Sequence, residues 1–571
     1  MKKHRILTSI LTLCINLLLM PTLSAPEIKA DSQIYYQDSY TYKEGYFKFQ
    51  IRSDENNNYS ASLLGAEVPD DEILNIVIPE TVKGFPVKCF NYFYISDLKY
   101  DELVDAFSRY SFSGCNINSA EFPEYMEIIN TQAFSNHSEL KNIILKSNNL
   151  IIGENAFSNT GITELTLYGS PEIRNQAFYA CKNLKQVSFE REPEIIIIQK
   201  EAFKNCVSLE NLIISENCKQ INIGRSAFEN TKIKNIEINS DCTIDIDSFA
   251  GCPLESVIIN SDNAEIKLDA FADCKNLREL KLSKGCNLSQ NAFANCTALE
   301  NVNIDTSENI TGSAFNGCTN LTSVNGEQVF DSSSGDFIPE YRDFIMNNFN
   351  LADDIGFINQ YVQANVKKIV SENITPDMND MQKIKVLHDW VCANTSYSPT
   401  GQESHNDAAI LMNDTTVCEG YARMCNLLYH EAGLETYYVT GVNHAWNIVK
   451  IDNHYFHVDS TWDDNSDEIN YKWFCKSDSE MKEAGGSHAS WRTAVLSSLH
   501  EFQGNISPEC NYQMGDMNTD NEINIADMVK LEKYILNAEK PDDNLVLSDL
   551  NFDGMTDIFD MIEMRKIIIE K

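Results

Sequence analysis

Three residues in the second half of the chain could together perform thiol chemistry. Cys418 opens a segment with apolar residues at helical spacing, and the start of a helix favours a thiolate through the helix dipole and free backbone N–H groups. His444 and Asp459 lie on two later segments that read as strands. A histidine that takes the thiol proton and a carboxylate that orients the imidazole would complete a nucleophilic site, with backbone N–H groups near Cys418 as part of an oxyanion hole.

The first element that must position this chemistry is a helix beginning near Cys418. Thr416 is a candidate N-cap and Gly433 a candidate C-terminal stop for it. Cys425 lies two turns further along, on the face with the apolar residues, so we expect it to be an inert core residue.

The second element is a β-hairpin with a two-residue turn at residues 452–453. If Ile451 pairs with His454, His444 and Asp459 become diagonal neighbours on one face, close enough to hydrogen-bond. The expected cross-strand pairs on that face are His444 with Thr461 and Trp446 with Asp459. A three-residue loop would shift the register by one residue and separate His444 from Asp459.

Each of these residues also has a purely structural interpretation. Buried cysteines usually pack a core, and a lone strand histidine is more often a hydrogen-bonded core residue. The order Cys-His-Asp, with each residue in a fitting local setting, favours catalysis. Other histidines compete for the role of base, namely His405, His430, His454 and His457.

The segments VCEGYA, HAWNIV and HVDSTW around these residues resemble the transglutaminase-like superfamily over about residues 340–500. The resemblance implies an α+β papain/transglutaminase-like domain, assigned to residues 333–510, that needs no cofactor. It implies Cys418 as nucleophile, His444 as general base and acid, and Asp459 as the residue that orients His444. Trp446 and Trp462 would flank the site and bind substrate.

The first half of the chain is an internal repeat. Phenylalanines in a common setting recur at intervals of 21 to 25 residues, at Phe112, Phe134, Phe157, Phe178, Phe203, Phe228, Phe249, Phe271, Phe293 and Phe315. A cysteine follows three residues later in many units, at Cys115, Cys181, Cys206, Cys252, Cys274, Cys296 and Cys318. The period predicts a solenoid in which each unit adds one strand and one turn, and the cysteines pack its core without disulfides.

These repeats resemble the BspA-like leucine-rich repeats of bacterial surface and secreted proteins. We assign residues 31–332 to this β-rich leucine-rich-repeat solenoid. The resemblance implies a curved surface for an unknown protein or carbohydrate ligand.

The C-terminus contains two acidic segments, DMNTDNEINIAD and DLNFDGMTDIFD, that begin 33 residues apart. Both place oxygen side chains at positions 1, 3, 5, 9 and 12 of a calcium-binding loop. The predicted calcium ligands are Asp516, Asn518, Asp520, Asn524 and Asp527 in the first loop, and Asp549, Asn551, Asp553, Asp557 and Asp560 in the second. Asn521 replaces the usual glycine at position 6 of the first loop, which asparagine tolerates because it can adopt a left-handed conformation.

This duplication resembles a type I dockerin, a small all-α module, here assigned to residues 511–571. The resemblance implies two calcium ions and a cohesin domain of a cellulosomal scaffold as the partner. Positions 10 and 11 of the loops usually face the cohesin, and here they are Ile525, Ala526, Ile558 and Phe559. Because these residues are more apolar than the usual Ser/Thr pairs, we expect a different cohesin specificity.

The bulk composition limits where the protein acts. Its 571 residues predict three or four units. Residues 1–25 read as a signal peptide, and no later segment is apolar for long enough to span a bilayer, so we expect secretion. The net charge of −39 makes nucleic acid an improbable partner, because such a surface repels phosphates.

Two classes of function remain open from the sequence. The favoured one is a secreted, cellulosome-associated cysteine peptidase or other transglutaminase-like acyl-transfer enzyme, with hydrolysis preferred over cross-linking. The alternative is a non-catalytic adhesin or binding scaffold with an inactive central domain. A glycoside hydrolase for polysaccharide breakdown is a weaker third option, because no segment presents a convincing pair of carboxylates.

Overall fold

The computed structural model describes residues 40–44, 47–53, 58–66, 73–90, 112, 116–305, 313–349, 353–398, 410–411, 415–465, 468–496, 502–503, 508–540 and 542–570. The predicted signal peptide, residues 1–25, and Cys115 lie outside these residues. Among the helices formed by the described residues, none is both long and apolar enough to cross a membrane.

The first half of the described chain is built almost entirely from short strands. They are β1 (Tyr40–Glu44), β2 (Phe47–Ser53), β3 (Tyr59–Ala66), β4 (Ile73–Val77), β5 (Thr81–Val82), β6 (Phe85–Phe90), β7 (Asn116–Phe122), β8 (Ile128–Ile129), β9 (Asn142–Leu145), β10 (Ile151–Ile152), β11 (Glu164–Tyr168), β12 (Glu172–Ile173), β13 (Gln186–Glu190), β14 (Ile195–Ile198), β15 (Asn211–Ile214), β16 (Gln220–Ile223), β17 (Asn235–Ile238), β18 (Asp241–Ile244), β19 (Ser256–Ile259), β20 (Ala264–Ile266), β21 (Glu279–Leu282), β22 (Asn287–Leu288), β23 (Asn301–Asn303), β24 (Ser323–Val324), β25 (Glu327–Gln328), β26 (Phe330–Asp331) and β27 (Asp336–Phe337).

Most repeats contribute two strands rather than the single strand predicted from the sequence. One strand joins a long sheet, in which β6, β8, β10, β12, β14, β16, β18, β20 and β22 follow one another in parallel. The other joins the opposite side, where the sheets run in the orders β4-β7-β9, β11-β13-β15 and β17-β19-β21-β23-β24-β25. The prediction was wrong because a strand of two to four residues is too short to show a clear alternating pattern.

The repeat phenylalanines form one continuous column inside the solenoid. All ten are fully buried, and the ring centroids of successive members lie 5.0 to 5.7 Å apart. Phe90 extends the column at its beginning, and Phe349 follows Phe315 at its end with a centroid distance of 6.0 Å. The column gives each repeat an apolar contact with its neighbours, as the period predicts.

In most of the described repeats, the side chain three positions after the phenylalanine donates a hydrogen bond to a phenylalanine carbonyl. Six buried, unpaired thiols lie 3.1 to 3.5 Å from the carbonyl oxygen of the preceding repeat's phenylalanine, in Cys181, Cys206, Cys252, Cys274, Cys296 and Cys318. Thr160 holds the same position and donates to the carbonyl of Phe157 at 2.9 Å. The predicted core role of these six cysteines is confirmed, and their thiols also hydrogen-bond the backbone of the preceding repeat.

The second half of the described chain adds helices around a smaller sheet. The helices are α1 (Pro339–Asn348), α2 (Gly356–Asn373), α3 (Asp380–Ala393), α4 (Cys418–Glu431), α5 (Ser460–Asp463), α6 (Asp478–Ala484), α7 (Ile525–Ile535) and α8 (Ile558–Glu570), with short 3-10 helices at Gly486–His488 and Leu545–Ser548. The strands are β28 (Ser396–Tyr397), β29 (Thr415–Thr416), β30 (Thr436–Thr440), β31 (Ala445–Ile451), β32 (His454–Val458), β33 (Asp464–Asn465), β34 (Glu468–Ile469), β35 (Arg492–Leu496) and β36 (Phe502–Gln503).

Helix α4 packs directly on the sheet that carries the predicted His-Asp pair. The sheet runs in the order β32-β31-β30-β35-β36 and is antiparallel. Asn447 on β31 donates from Nδ2 to the carbonyl of Ala422 at 2.9 Å, and the Thr436 hydroxyl on β30 donates to Asn426 Oδ1 at 3.2 Å. These buried bonds fix α4 relative to β30 and β31, and so help to place Cys418 near His444.

Candidate active site and calcium loops

Helix α4 begins at Cys418 itself, as the sequence predicts. The N-cap residue is Val417, whose backbone is extended, and not Thr416, which lies in β29 one position too early; that detail of the prediction was wrong. Gly433 follows the helix at φ +80°, which confirms it as the C-terminal stop. Cys418 is half-buried and is the first helical residue, so its backbone N–H belongs to the helix end that can bind negative charge.

The hairpin has the register that the site requires. Ile451 pairs with His454, and Asp452 in the turn has φ +52°, so the two-residue loop is confirmed. The ladder ends at the pair of Asn447 and Val458. The predicted pairings of His444 with Thr461 and of Trp446 with Asp459 are wrong, because the chain leaves the sheet after Val458 to form α5.

His444 and Asp459 nevertheless meet directly. His444 Nε2 lies 2.5 Å from Asp459 Oδ2, which leaves Nδ1 as the ring atom for Cys418. Burial of the ring disfavours its charged form, but hydrogen bonds with Asp459 and with the Cys418 side chain outweigh burial and raise the pKa of His444 to about 9. His444 is therefore an imidazolium at neutral pH.

Asp459 is fixed from three directions although it is fully buried. As the N-cap of α5, it accepts from the backbone N–H of Trp462 at 3.3 Å. Its Oδ2 also accepts from His488 Nε2 at 2.8 Å. Burial alone would raise the pKa of this carboxyl group, but the bonds from His444 and His488 overcome it and lower the pKa below its ordinary value.

His488 is a member of the site that sequence reasoning missed. It is fully buried, stacks on Trp473 with a centroid distance of 4.6 Å, and lies edge-on to Trp462 at 4.6 Å and Trp446 at 4.9 Å. Its Nδ1 has no hydrogen-bond partner among the described residues, so the bond from Nε2 to Asp459 is what orients the ring through a polar contact. A histidine in the polar segment GGSHAS carries no periodic signal that could have revealed this role.

The competing histidines have other partners or positions. His457 accepts from Trp446 Nε1 at 2.9 Å and lies 3.0 Å from Asp478 Oδ1, and burial lowers its pKa. His454 lies 3.3 Å from Asn544 Oδ1, and His430 is exposed at the end of α4. The remaining candidate, His405, is outside the described residues.

The two predicted tryptophans occupy different environments. Trp446 is 1% exposed, and its ring centroid lies 5.6 Å from that of His444. It therefore packs against the imidazole and is too buried for the substrate contact that was predicted for it. Trp462 lies at the same distance from His444 but is 44% exposed, so its ring can meet a substrate. Cys425 is fully buried, and burial raises the pKa of its thiol to about 11, as an inert core residue requires.

The first calcium loop gathers the carboxylates predicted for it. One oxygen each from Asp516, Asp520 and Asp527 lie within 4.8 Å of one another. Asn521 has φ +67°, so asparagine does adopt the left-handed conformation that position 6 needs. The backbone N–H groups of Asp520 and Asn521 bond to Asp516 at 3.1 and 2.8 Å and wrap the loop around this cluster. The donor set fits calcium, which binds six to eight oxygens.

The second loop has the same construction with more burial. Asp549 accepts from the backbone N–H of Asp553 at 3.0 Å and of Gly554 at 2.8 Å. Burial, together with the nearby charge of Asp560, raises the pKa of Asp549 to about 7. The predicted ligands of this loop are all oxygen donors, namely Asp549, Asn551, Asp553, Asp557 and Asp560, and this set fits calcium.

The residues predicted to face a cohesin lie on the surface at the starts of α7 and α8. Ile525, Ile558 and Phe559 are 68%, 55% and 59% exposed, and Ala526 is also exposed. Exposed apolar residues grouped in this way are typical of a protein-binding surface.

Comparison with known families matches each unit of the fold. The BspA type leucine rich repeat region matches in six copies over residues 70–185, 171–247 and 242–370, which together exceed half of the chain. The chain therefore belongs to the family of BspA type leucine-rich-repeat proteins. In the same chain, residues 367–460 match the transglutaminase-like superfamily, and residues 514–569 match the dockerin type I domain. The predicted multidomain fold class is thus confirmed, and the dockerin implies calcium and cohesin binding.

Individual relatives cover single parts of the chain. The kyphoscoliosis peptidase of Mus musculus is 25% identical over 122 residues, covering 18% of each chain, and the chain spans only 18% of the length of the curated relatives it matches. A leucine rich cell surface protein from Faecalibacterium prausnitzii is 19% identical, covering 51% of this chain and 96% of its own, with a TM-score of 0.26. A candidate cysteine protease from Cytophaga hutchinsonii is 18% identical, covering 17% of this chain and 37% of its own, with a TM-score of 0.16.

Proposed function

We propose that the transglutaminase-like domain is a cysteine-dependent acyl-transfer enzyme that hydrolyses peptide or carboxamide bonds. The observation that carries this proposal is the bond between His444 Nε2 and Asp459, in a ring that also interacts with the Cys418 side chain. With a pKa of about 9, His444 holds a positive charge beside the sulfur at neutral pH. A fixed cation at the start of a helix favours ionised sulfur, which is the nucleophilic form.

The proposed reaction has two steps. The Cys418 sulfur attacks the carbonyl carbon, His444 gives its proton to the departing nitrogen, the carbon–nitrogen bond breaks, and a thioester remains. Water then attacks the thioester as His444 takes its proton, the carbon–sulfur bond breaks, and the acid leaves. Asp459 keeps the imidazole oriented and stabilises its charge throughout. A lysine amine in place of water would give cross-linking by the same steps.

The flanking units support a secreted enzyme attached to a cellulosomal scaffold. The dockerin would attach the protein to a cohesin with two bound calcium ions, through Ile525, Ala526, Ile558 and Phe559. The solenoid would present the enzyme to a protein or carbohydrate surface. Hydrolysis suits a protein attached beside degradative machinery, and export through the segment at residues 1–25 completes the proposal.

The test is alkylation of the purified protein with iodoacetamide between pH 4 and 10, followed by peptide mapping. We expect Cys418 to react rapidly near pH 6 and His444→Ala to abolish this, because the imidazolium is lost. Cys425 lies on the same helix but is fully buried, so it is the internal control and stays unreactive. A Cys418→Ser variant identifies the labelled peptide.

If Cys418 reacts no faster than the buried repeat cysteines at pH 6, the catalytic proposal fails. The protein is then a binding scaffold attached through its dockerin. If labelling follows the expected pattern, peptides and glutamine amides are the substrates to screen, with Trp462→Ala as the variant expected to weaken substrate binding.

A further inference from the structure

The second calcium loop lies against the start of helix α3 in the transglutaminase-like domain. Gln382 Nε2 donates to the carbonyl of Asp553 at 2.8 Å, and Asn379 Nδ2 donates to the carbonyl of Gly554 at 2.7 Å. Both carbonyls belong to the calcium loop, at positions 5 and 6. The two units are therefore joined at loop residues whose backbone is shaped by the ion.

The two amides that make this contact are oriented by helix α3. Asn379 Oδ1 accepts from the backbone N–H of Gln382, and Gln382 Oε1 accepts from the backbone N–H of Asn379, both at 3.0 Å. This capping box uses the oxygen end of each amide. The NH₂ ends consequently point away from the helix, where the loop carbonyls meet them.

An aromatic contact accompanies the hydrogen bonds. The ring of Phe552, at position 4 of the loop, lies 4.9 Å from the ring of Phe474 and 6.2 Å from that of Tyr471, centroid to centroid. Tyr471 in turn donates to Asp389 on α3 at 2.8 Å. The loop is thus held both at the helix cap and along the side of the same helix.

The two calcium loops differ at the positions that make these contacts. Position 4 is the half-buried Phe552 in the second loop but the exposed Thr519 in the first. Position 6 is Gly554 in the second loop but Asn521 in the first. A Cβ at Gly554 would lie 2.5 Å from Gln382 Cγ and 2.7 Å from Asn379 Nδ2, so a larger residue would displace the two side chains that make the contact.

We propose that the second calcium loop is an intramolecular latch, in which calcium binding to residues 549–560 and the order of helix α3 stabilise each other. Calcium fixes the backbone that presents the two carbonyls, and the docked helix favours the loop conformation that binds calcium. Such a coupling is reciprocal by thermodynamic necessity. The latch leaves Ile558 and Phe559 exposed, so it is compatible with cohesin binding, and it does not depend on the activity proposed for Cys418.

The test uses the full-length chain with two readouts, calcium titration by calorimetry and hydrogen exchange over residues 380–393. In the wild type we expect calcium to slow exchange in this helix about tenfold, within the usual range of coupling between two sites. Gly554→Asn is the decisive variant, because asparagine is tolerated at the equivalent Asn521 but its Cβ collides with Gln382. It should bind the second ion about tenfold more weakly and lose the calcium effect on exchange.

The reverse change in the first loop, Asn521→Gly, is the matched control and should leave exchange over residues 380–393 unaltered. Phe552→Thr removes the aromatic contact while keeping every oxygen ligand. It should also lose the calcium effect on exchange in α3, and it serves as the test if Gly554→Asn no longer binds a second ion. The proposal is overturned if calcium fills both wild-type sites without changing exchange in α3. It is equally overturned if Phe552→Thr retains the calcium effect at saturation.

Discussion

At the level of single residues, the proposed chemistry depends most on the positive charge of His444. The ring is buried, which by itself would keep it neutral, and Asp459 supplies the compensating negative charge. Asp459 in turn stays ionised although fully buried, because two histidines bond to its Oδ2. The proposed thiol–imidazole pair therefore depends on a carboxylate that is fully buried.

Replacing Asp459 by asparagine should remove the charge that holds the proton on His444. Burial then dominates, the pKa of His444 falls below its ordinary value of about 6.5, and alkylation of Cys418 at pH 6 slows by about tenfold or more. In the wild type, the rate of alkylation plotted against pH should show an inflection near pH 9, where His444 loses its proton. This inflection should disappear from the Asp459→Asn profile.

Asp478→Asn is the matched control, since it changes the carboxylate of a different His-Asp pair in the same domain, that of His457, at 3.0 Å. It should leave the inflection near pH 9 in place. An Asp459→Asn profile that coincides with the wild type would show that Asp459 does not set the charge of His444.

His488 is a positioning residue, whose polar contact with the site is the bond to Asp459. Its N–H competes with His444 for Oδ2, so His488→Leu should concentrate the carboxylate charge on His444 and raise the pKa of that imidazole by about half a unit to one unit. His488→Gln retains an N–H donor and should return the inflection towards the wild-type pH. The measurement is the same alkylation profile. A role in packing alone predicts that both variants lose stability without moving the inflection.

Cys418, His444 and Asp459 could be selected from the sequence because each stands at a recognisable position within its own element. Cys418 starts an apolar-periodic helix, and the other two flank a hairpin whose Asp-Asn turn sets the register. His488 could not be found in this way, since it lies 29 residues after Asp459 in a segment without periodicity. Only the folded chain brings it to Oδ2, through aromatic packing that no local pattern encodes.

Among the elements, the repeat unit shows how packing dictates residue type. The strands of the solenoid alternate as expected: Ile236 and Ile238 of β17 are buried, whereas Asn235 and Glu237 are exposed. The second strand of a unit has only two to four residues, as in β10 (Ile151–Ile152) and β14 (Ile195–Ile198), so sequence periodicity could not reveal it. The position three residues after the phenylalanine does more than pack the core, because a cysteine such as Cys181 or a threonine such as Thr160 donates a hydrogen bond there.

A pair of variants with the same shape tests this requirement. Cys274 donates to the carbonyl of Phe249 at 3.4 Å and is fully buried. Cys274→Thr keeps a hydrogen-bond donor, as at Thr160. Cys274→Val has nearly the same side-chain volume as the threonine variant but no donor. We expect the valine variant to be less stable than the threonine variant by about 1 kcal/mol, the net value of a typical hydrogen bond. Urea unfolding of the two proteins measures the difference, and equal stabilities would reduce the position to simple packing.

For the whole molecule, the junction between the solenoid and the helical domain decides whether the two behave as one unit. Phe349 follows α1, is 2% exposed, and covers the last repeat phenylalanine, Phe315. It also meets Phe357 of α2 edge-on at 5.0 Å, while the backbone N–H of Phe357 donates to the carbonyl of Leu321 at 2.9 Å. The helical domain therefore closes the end of the repeat column, where an exposed apolar face would otherwise destabilise the array.

This arrangement predicts that the solenoid and the helical domain unfold together. Scanning calorimetry of the full chain in calcium should show one main transition for both, and Phe349→Ala should split it, with the solenoid unfolding first. Truncating a buried phenylalanine costs about 3–5 kcal/mol, and here the loss falls on the contact between the units. Phe271→Ala is the matched control in the middle of the column, and it should lower the solenoid's transition through lost packing while leaving the junction intact. Two results would contradict this prediction: the same calorimetric profile for both variants, or two independent transitions already in the wild type. Either result would mean that the contact at Phe349 does not couple the unfolding of the helical domain to that of the solenoid.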